Sequence, residues 1–252
     1  MEPPAGDDRA GGLRHREDWI TPTPPMHPPA LQSVRVWDLP TRLFHWTLAL
    51  TLAGSLVTGK LGGALITWHF KLGLAAGALL LFRLAWGLVG GRWSRFTQFA
   101  VAPSTLWRYL RGRPRPGEQF DVGHNPLGSL SVIAMLAALA VQVGTGLVAD
   151  DEIANVGPLN RFVAGATGLA ATAWHKGWGQ GLVIALVILH LGAVAYHAGV
   201  RRERLVGAML HGDKPLPPGT PASRDDLPAR AGALLLALAC AAAAWAVARW
   251  GG

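Results

Sequence analysis

Cysteine is nearly absent from this chain, with Cys240 the single one in 252 residues. That excludes a disulfide framework and a thiolate metal cage. Charge is scarce as well: 15% of the residues are charged, where soluble domains carry about 25%. Acids are the rarer sign, 15 against 23 lysines and arginines, and they are almost missing from the long apolar stretches. No nucleophile–base pair, phosphate loop or nicotinamide fingerprint appears, so any chemistry has to come from a bound group. Residues 1–30 have no apolar core of their own, and no cleavable secretion signal is expected there.

What the chain does have is grease. Half of it is apolar, and runs long enough to cross a bilayer fall at 43–60, 66–90, 126–148, 175–199 and 229–250. In lipid such runs form helices, because the backbone finds no water to bond. The expectation is an all-α integral membrane protein: a four-helix bundle with a fifth, C-terminal transmembrane helix. The expected divisions are a disordered cytoplasmic tail at 1–33, the four-helix domain at 34–212, a polar proline-rich linker at 213–228 and the last helix at 229–252.

The net charge of +8 raises the question of nucleic acid, and its placement answers it. Arg92, Arg95, Arg108, Arg111, Arg113 and Arg115 sit between the second and third runs, and Arg201, Arg202 and Arg204 follow the fourth. The segment joining runs three and four carries Asp150, Asp151 and Glu152 instead. The positive-inside rule then puts the arginine-rich loops and the N-terminus in the cytoplasm and the C-terminus in the periplasm. Membrane lipid, not nucleic acid, is the expected partner of this charge. The 95–120 segment reads as an amphipathic surface stretch, with Trp107 and Tyr109 at headgroup level.

Histidines carry the functional signal, since ionisable groups within membrane spans mark function by default. His45 lies about 22 Å inward from the outer end of the first run, at ~1.5 Å per residue, and His190 lies equally deep from His175. His69 and His175 share the outer level. Two imidazoles facing each other at one height suit a six-coordinate haem iron. Gly73 and Gly77 share a helix face with His69 and leave either a porphyrin slot or a close helix contact. His197 competes with His190 for the inner level but falls at the headgroup boundary, so His190 is preferred. His124 and His211 sit outside the hydrocarbon, available to a haem propionate or a quinone. Arg83 is too deep to snorkel easily and lacks a carboxylate in its helix, a need that propionates would meet. Arg42, three residues before His45, can serve the same haem.

The segments RVWDLPTRLFHW, WHFKLG…LLLFRLAWGLVG, GHNPLGSLSV and WHKGWGQ…ILHLGAVAYH, the last followed by RRERLVGAMLHGDKP, resemble the bacterial cytochrome b561 family and the b-type cytochrome subunits of nickel–iron hydrogenases. The resemblance covers residues 34–214. It implies two haem b groups with bis-histidine ligation, His45 with His190 on the inner side and His69 with His175 on the outer. It also implies electron transfer between a quinone and a periplasmic or membrane-bound redox protein such as a c-type cytochrome, dehydrogenase or hydrogenase, with quinone oxidoreductase activity left open. Two departures from the family stand out. The fourth run opens His175-Lys176-Gly177-Trp178-Gly179-Gln180, where the family has His-Glu followed by small residues and Asn. The His175-to-His190 interval is one residue longer than usual. Two other readings of the histidines are a membrane transporter and a redox-silent anchor subunit.

Overall fold

A computed structural model describes residues 1, 30–99, 102–113, 115, 120 and 122–250. Most of the expected tail, residues 2–29, lies outside them. The described chain starts with a short strand, β1 (Gln32–Arg35), and then enters helix α1 (Leu39–Leu61). Helices α2 (Ile66–Val89), α3 (Phe96–Phe99), α4 (Pro103–Leu110) and α5 (Pro126–Val148) follow. Next come α6 (Gly165–Trp174), a five-residue π turn (His175–Gly179) and α7 (Gln180–Gly199). The last elements are α8 (Leu205–His211), strand β2 (Asp213–Leu216) and α9 (Leu227–Trp250).

Among the described residues, four helical segments are long and apolar enough to cross a membrane: 63–89, 126–148, 165–199 and 227–250. This is a multi-pass membrane protein. Helix α1 is as long as α5, 23 residues each, but Arg42, His45, Lys60 and its threonines make it less apolar. The fourth run proves longer than its expected 175–199. Apolar residues from Gly165 onward extend it, so His175 sits ten residues inside the helical segment and not at its mouth.

The starts of α1 and α5 are written locally. Asp38 accepts from Thr41 N at 2.8 Å, and Asn125 accepts from Gly128 N at 2.7 Å. Each cap is followed by a proline in the first helical turn, where the missing N–H costs nothing.

Residues 213–228 are not a free linker. β2 pairs antiparallel with β1, Arg35 opposite Asp213 and Gln32 opposite Leu216. Gly212 turns the chain into this strand at φ 92°, and its carbonyl accepts from Val36 N and Trp37 N. A side chain there would strike the Trp37 carbonyl, so glycine is required. Further on, Ser223 N donates to Arg35 O and its hydroxyl to Val36 O, while Asp225 accepts from Leu39 N and pairs with Arg35. Val34, Val36, Trp37, Val122, Ala208 and Leu216 close a small apolar layer here. Beyond it α9 packs on the α1–α2 seam, where Phe44, Phe82, Trp86, Ala233 and Cys240 are buried together.

Asp38 joins these parts. It is wholly buried and accepts from Thr41 N, from Trp86 Nε1 at 3.2 Å and from Ser94 Oγ at 2.7 Å. Asp38→Ala removes a helix cap and strands two further buried donors. The expected loss is roughly 2–5 kcal/mol of stability, read as a lower thermal midpoint in detergent, with Asp38→Asn falling between the two.

Candidate functional site

The two histidine levels come together as two ring pairs. His45 of α1 faces His190 of α7 with ring centroids 6.4 Å apart and planes inclined by 56°. His69 of α2 faces His175 of the π turn at 5.9 Å and 84°. No hydrogen bond joins the rings of either pair. His197 is elsewhere, bonded through Nδ1 to Glu203 at 3.1 Å. Among the described residues no three His, Cys, Asp or Glu gather as a metal cage, so paired imidazoles are the metal-binding chemistry at hand.

The outer rings are clamped from behind. His69 Nδ1 lies 2.8 Å from the Ser55 carbonyl, and His175 Nδ1 lies 2.8 Å from the Gln142 carbonyl. A carbonyl only accepts, so each Nδ1 carries the proton and each Nε2 keeps its lone pair. Gln142 also donates from Nε2 to the His175 carbonyl, which pins the π turn to α5. Two glycines make room. A Cβ on Gly59 would come within 2.7 Å of His69 Nδ1, and one on Gly146 within 2.9 Å of His175 Cε1. Sequence reasoning missed both; the available signal was a glycine on α1 and on α5 near the level of the outer histidines.

The π turn interrupts the helical segment between His175 and His190. A π turn lodges one extra residue within a helix, and Gly177 takes the bend at φ −102° and ψ −107°.

Gly73 opens on empty space: a Cβ there would meet nothing within 4 Å. Gly77 differs: a Cβ there meets Val143 of α5 at 3.3 Å, so this glycine serves close helix packing. Arg83 is buried, 3% exposed, with its guanidinium 4.8 Å from the Phe96 ring and 5.6 Å from that of Phe99. The Asp38 carboxylate acts on it electrostatically, a negative neighbour the sequence reading overlooked, yet Arg83 Nη1 has no hydrogen-bond partner. Arg42 gives Nη1 to the Leu210 carbonyl at 2.6 Å while its buried Nε stays unpaired. His45 Nδ1 and His124 Nδ1 are likewise buried and unpaired. The two arginine nitrogens are donors without an acceptor, and the two imidazole nitrogens donate or accept according to tautomer.

Residues 36–212 match the family described as prokaryotic cytochrome b561. The chain belongs to the prokaryotic cytochrome b561 family. Among curated proteins it is similar to the probable Ni/Fe-hydrogenase 1 B-type cytochrome subunit of Escherichia coli K12, 25% identical over 70% of this chain and 88% of that one. The probable Ni/Fe-hydrogenase B-type cytochrome subunits of Azotobacter chroococcum (26% identical, over 71% and 88%) and Bradyrhizobium diazoefficiens (21%, over 72% and 86%) are similar as well. It is thus a membrane b-type cytochrome with an electron-transfer role, and its family implies haem b.

The residues present fit that group. Two metal–imidazole bonds of about 2.0–2.1 Å, with roughly 1.1 Å from each nitrogen to its ring centre, span a little over 6 Å. The two centroid separations of 5.9 and 6.4 Å straddle that span. The unpaired guanidinium and imidazole nitrogens suit an anionic edge such as a propionate.

His124 is a further site residue, wedged between Trp37 and Phe99 with ring centroids 4.7 and 4.8 Å away. Burial, helped by the positive charge of Arg83, pushes its imidazole from 6.5 down to about 3. Unfolded chain therefore binds the extra proton between these values, so stability falls as pH drops from about 6.5 towards 3. In His124→Gln that part of the acid destabilisation is expected to vanish, which thermal midpoints recorded across this pH range will show.

Proposed function

We propose that this cytochrome is a di-haem subunit carrying electrons across the membrane between a quinone pool and a redox partner. The partner suggested by the names of its relatives is a nickel–iron hydrogenase. The observation that carries the reading is the two imidazole pairs, each spaced for one metal centre and joined by no direct bond. His45 with His190 would hold the inner haem, and His69 with His175 the outer one. Bound haem supplies one-electron chemistry at its iron, at a potential that ligands and nearby charge adjust.

The chain's own residues do the rest. The Ser55 and Gln142 carbonyls accept hydrogen bonds from Nδ1–H of His69 and His175, fixing ring orientation and making each Nε2 a stronger ligand. Gly59 and Gly146 let those rings back onto α1 and α5. Gly73 leaves space beside His69 for the flat edge of a macrocycle. Arg83, with Arg42, offers donors to a propionate at the inner level.

In the orientation read from the arginine-rich loops, α1 also crosses the bilayer, giving four spans around the haems and α9 as a fifth. The protein then sits in the bacterial inner membrane with its N-terminus in the cytoplasm and its C-terminus in the periplasm. The outer pair lies near the loop holding Asp151. Asn155 and the loop's backbone N–H groups keep that carboxyl well below the usual carboxylate range, so the face stays acidic towards a periplasmic partner. A transporter needs acids available as relays; Asp38, buried beside the bundle, already accepts from three donors, which favours the haem reading.

The purified protein is expected to show reduced b-type bands and about two haems per chain. Alanine at His45 or His190 should remove one haem and leave the other, and so should alanine at His69 or His175. Gly59→Val should act like the loss of His69 by displacing its ring. Haem quantification by pyridine adduct checks each case, and full haem content in all four alanine variants would overturn the assignment.

A further inference from the structure

The C-terminal helix α9 lies beyond the family match, which ends at residue 212. It packs along α2 through Phe82, Trp86, Ala233 and Cys240. Towards the arginine-rich end the two helices part, and a groove of about 370 Å³ opens between them. Trp86, Val89 and Leu236 give it apolar walls. Gly232 also lines it, and a Cβ there would meet nothing within 4 Å, so the floor is open.

Two guanidinium groups, Arg95 and Arg224, border the same groove. Arg95 Nε donates to the Gly90 carbonyl at 2.8 Å, which holds the side chain at the groove edge and leaves its terminal nitrogens for a ligand. Arg224 Nε lies 3.3 Å from Asp226, an exposed pair and hence a weak one. Asp226 also caps α9 by accepting from Ala229 N at 2.9 Å. Its carboxylate therefore stays at the helix start when Arg224 turns to another anion.

An apolar slot among membrane helices, closed at its water end by two cations, matches one class of ligand. A free anion has no use for walls of Trp86, Val89 and Leu236, and a neutral quinone has none for paired guanidinium groups. The geometry points to a bound anionic phospholipid, its phosphate between Arg95 and Arg224 and the upper part of one acyl chain in the α2–α9 groove. The lipid then bridges the family core to the added helix, and α9 acts as one wall of a lipid site that the core lacks by itself. Basic side chains at a membrane surface attract anionic headgroups, and here two border one groove.

The test uses the full chain in nanodiscs of phosphatidylglycerol or phosphatidylcholine, with tryptophan fluorescence reporting the thermal midpoint. A higher midpoint in phosphatidylglycerol is expected, together with co-purified anionic phospholipid of about one per chain in the organic extract. The double variant Arg95→Gln/Arg224→Gln should lose the difference, with affinity down roughly fivefold or more for each arginine. Gly232→Leu, which fills the groove without removing charge, should lose it too. The proposal is overturned if the double variant keeps the full difference or if Gly232→Leu retains its lipid. It is equally overturned if millimolar inorganic phosphate reproduces the effect in phosphatidylcholine, which would mean a simple anion site.

Discussion

The gap between facing imidazoles is the constraint on which the rest of this structure depends. Paired aromatic rings pack with centroids about 4.5–7 Å apart, and the two imidazole pairs fall within that range, at 5.9 and 6.4 Å, with no hydrogen bond between the rings. The same separations straddle the span that two imidazoles on one metal require. For the outer pair, the carbonyls of Ser55 and Gln142 hold the rings back from behind. Four backbone segments must be in place for that: α1 and α5 supply the carbonyls and the glycine beds, and α2 and the π turn supply the rings. A carbonyl within a helix keeps a second lone pair, so it can accept an imidazole proton without breaking its helix.

The inner pair is held differently. His45 Nδ1 has no partner, and Arg83, Arg42 and His124 each keep a buried nitrogen unpaired nearby. Leaving one buried polar group unsatisfied costs on the order of 1–3 kcal/mol, and the arginine nitrogens among these call for an acceptor that the polypeptide does not supply. In the proposed assignment, the anionic edge of a haem at the inner level would meet this demand. Asp38 then acts as a fixed negative charge beneath the cluster and ties α1, Trp86 and Ser94 into one frame. The strap formed by β2 and residues 223–225 locks the start of α1, and with it the height of His45.

Much of this was legible in the sequence because helix rise is regular. Counting residues from Lys60 and from His175 put His45 level with His190 and His69 level with His175, and the structure pairs those same rings, although the fourth helical segment begins ten residues before His175 and not at it. What stayed hidden depends on contacts between distant residues. Gly59 and Gly146 look like ordinary small residues until a histidine from another helix is laid against them. The polar composition of residues 213–228 reads as a linker because strand pairing with residues 32–35 leaves no local trace. Asp38 carries no signal of its own in the sequence, and only the fold shows that it caps α1 and also serves Trp86 and Ser94. The π turn at 175–179 likewise leaves no mark in the sequence that periodicity can read.

The central claim is that each imidazole pair closes on one metal centre with its ring planes as seen here. Low-temperature electron paramagnetic resonance of the oxidised protein tests it most directly, because the anisotropy of a low-spin ferric centre grows as two axial imidazole planes approach perpendicular. Two low-spin signals are expected, the more anisotropic from the pair inclined at 84° and the other from the pair at 56°. A high-spin signal accounting for either centre, or one low-spin signal for the whole protein, would contradict the account.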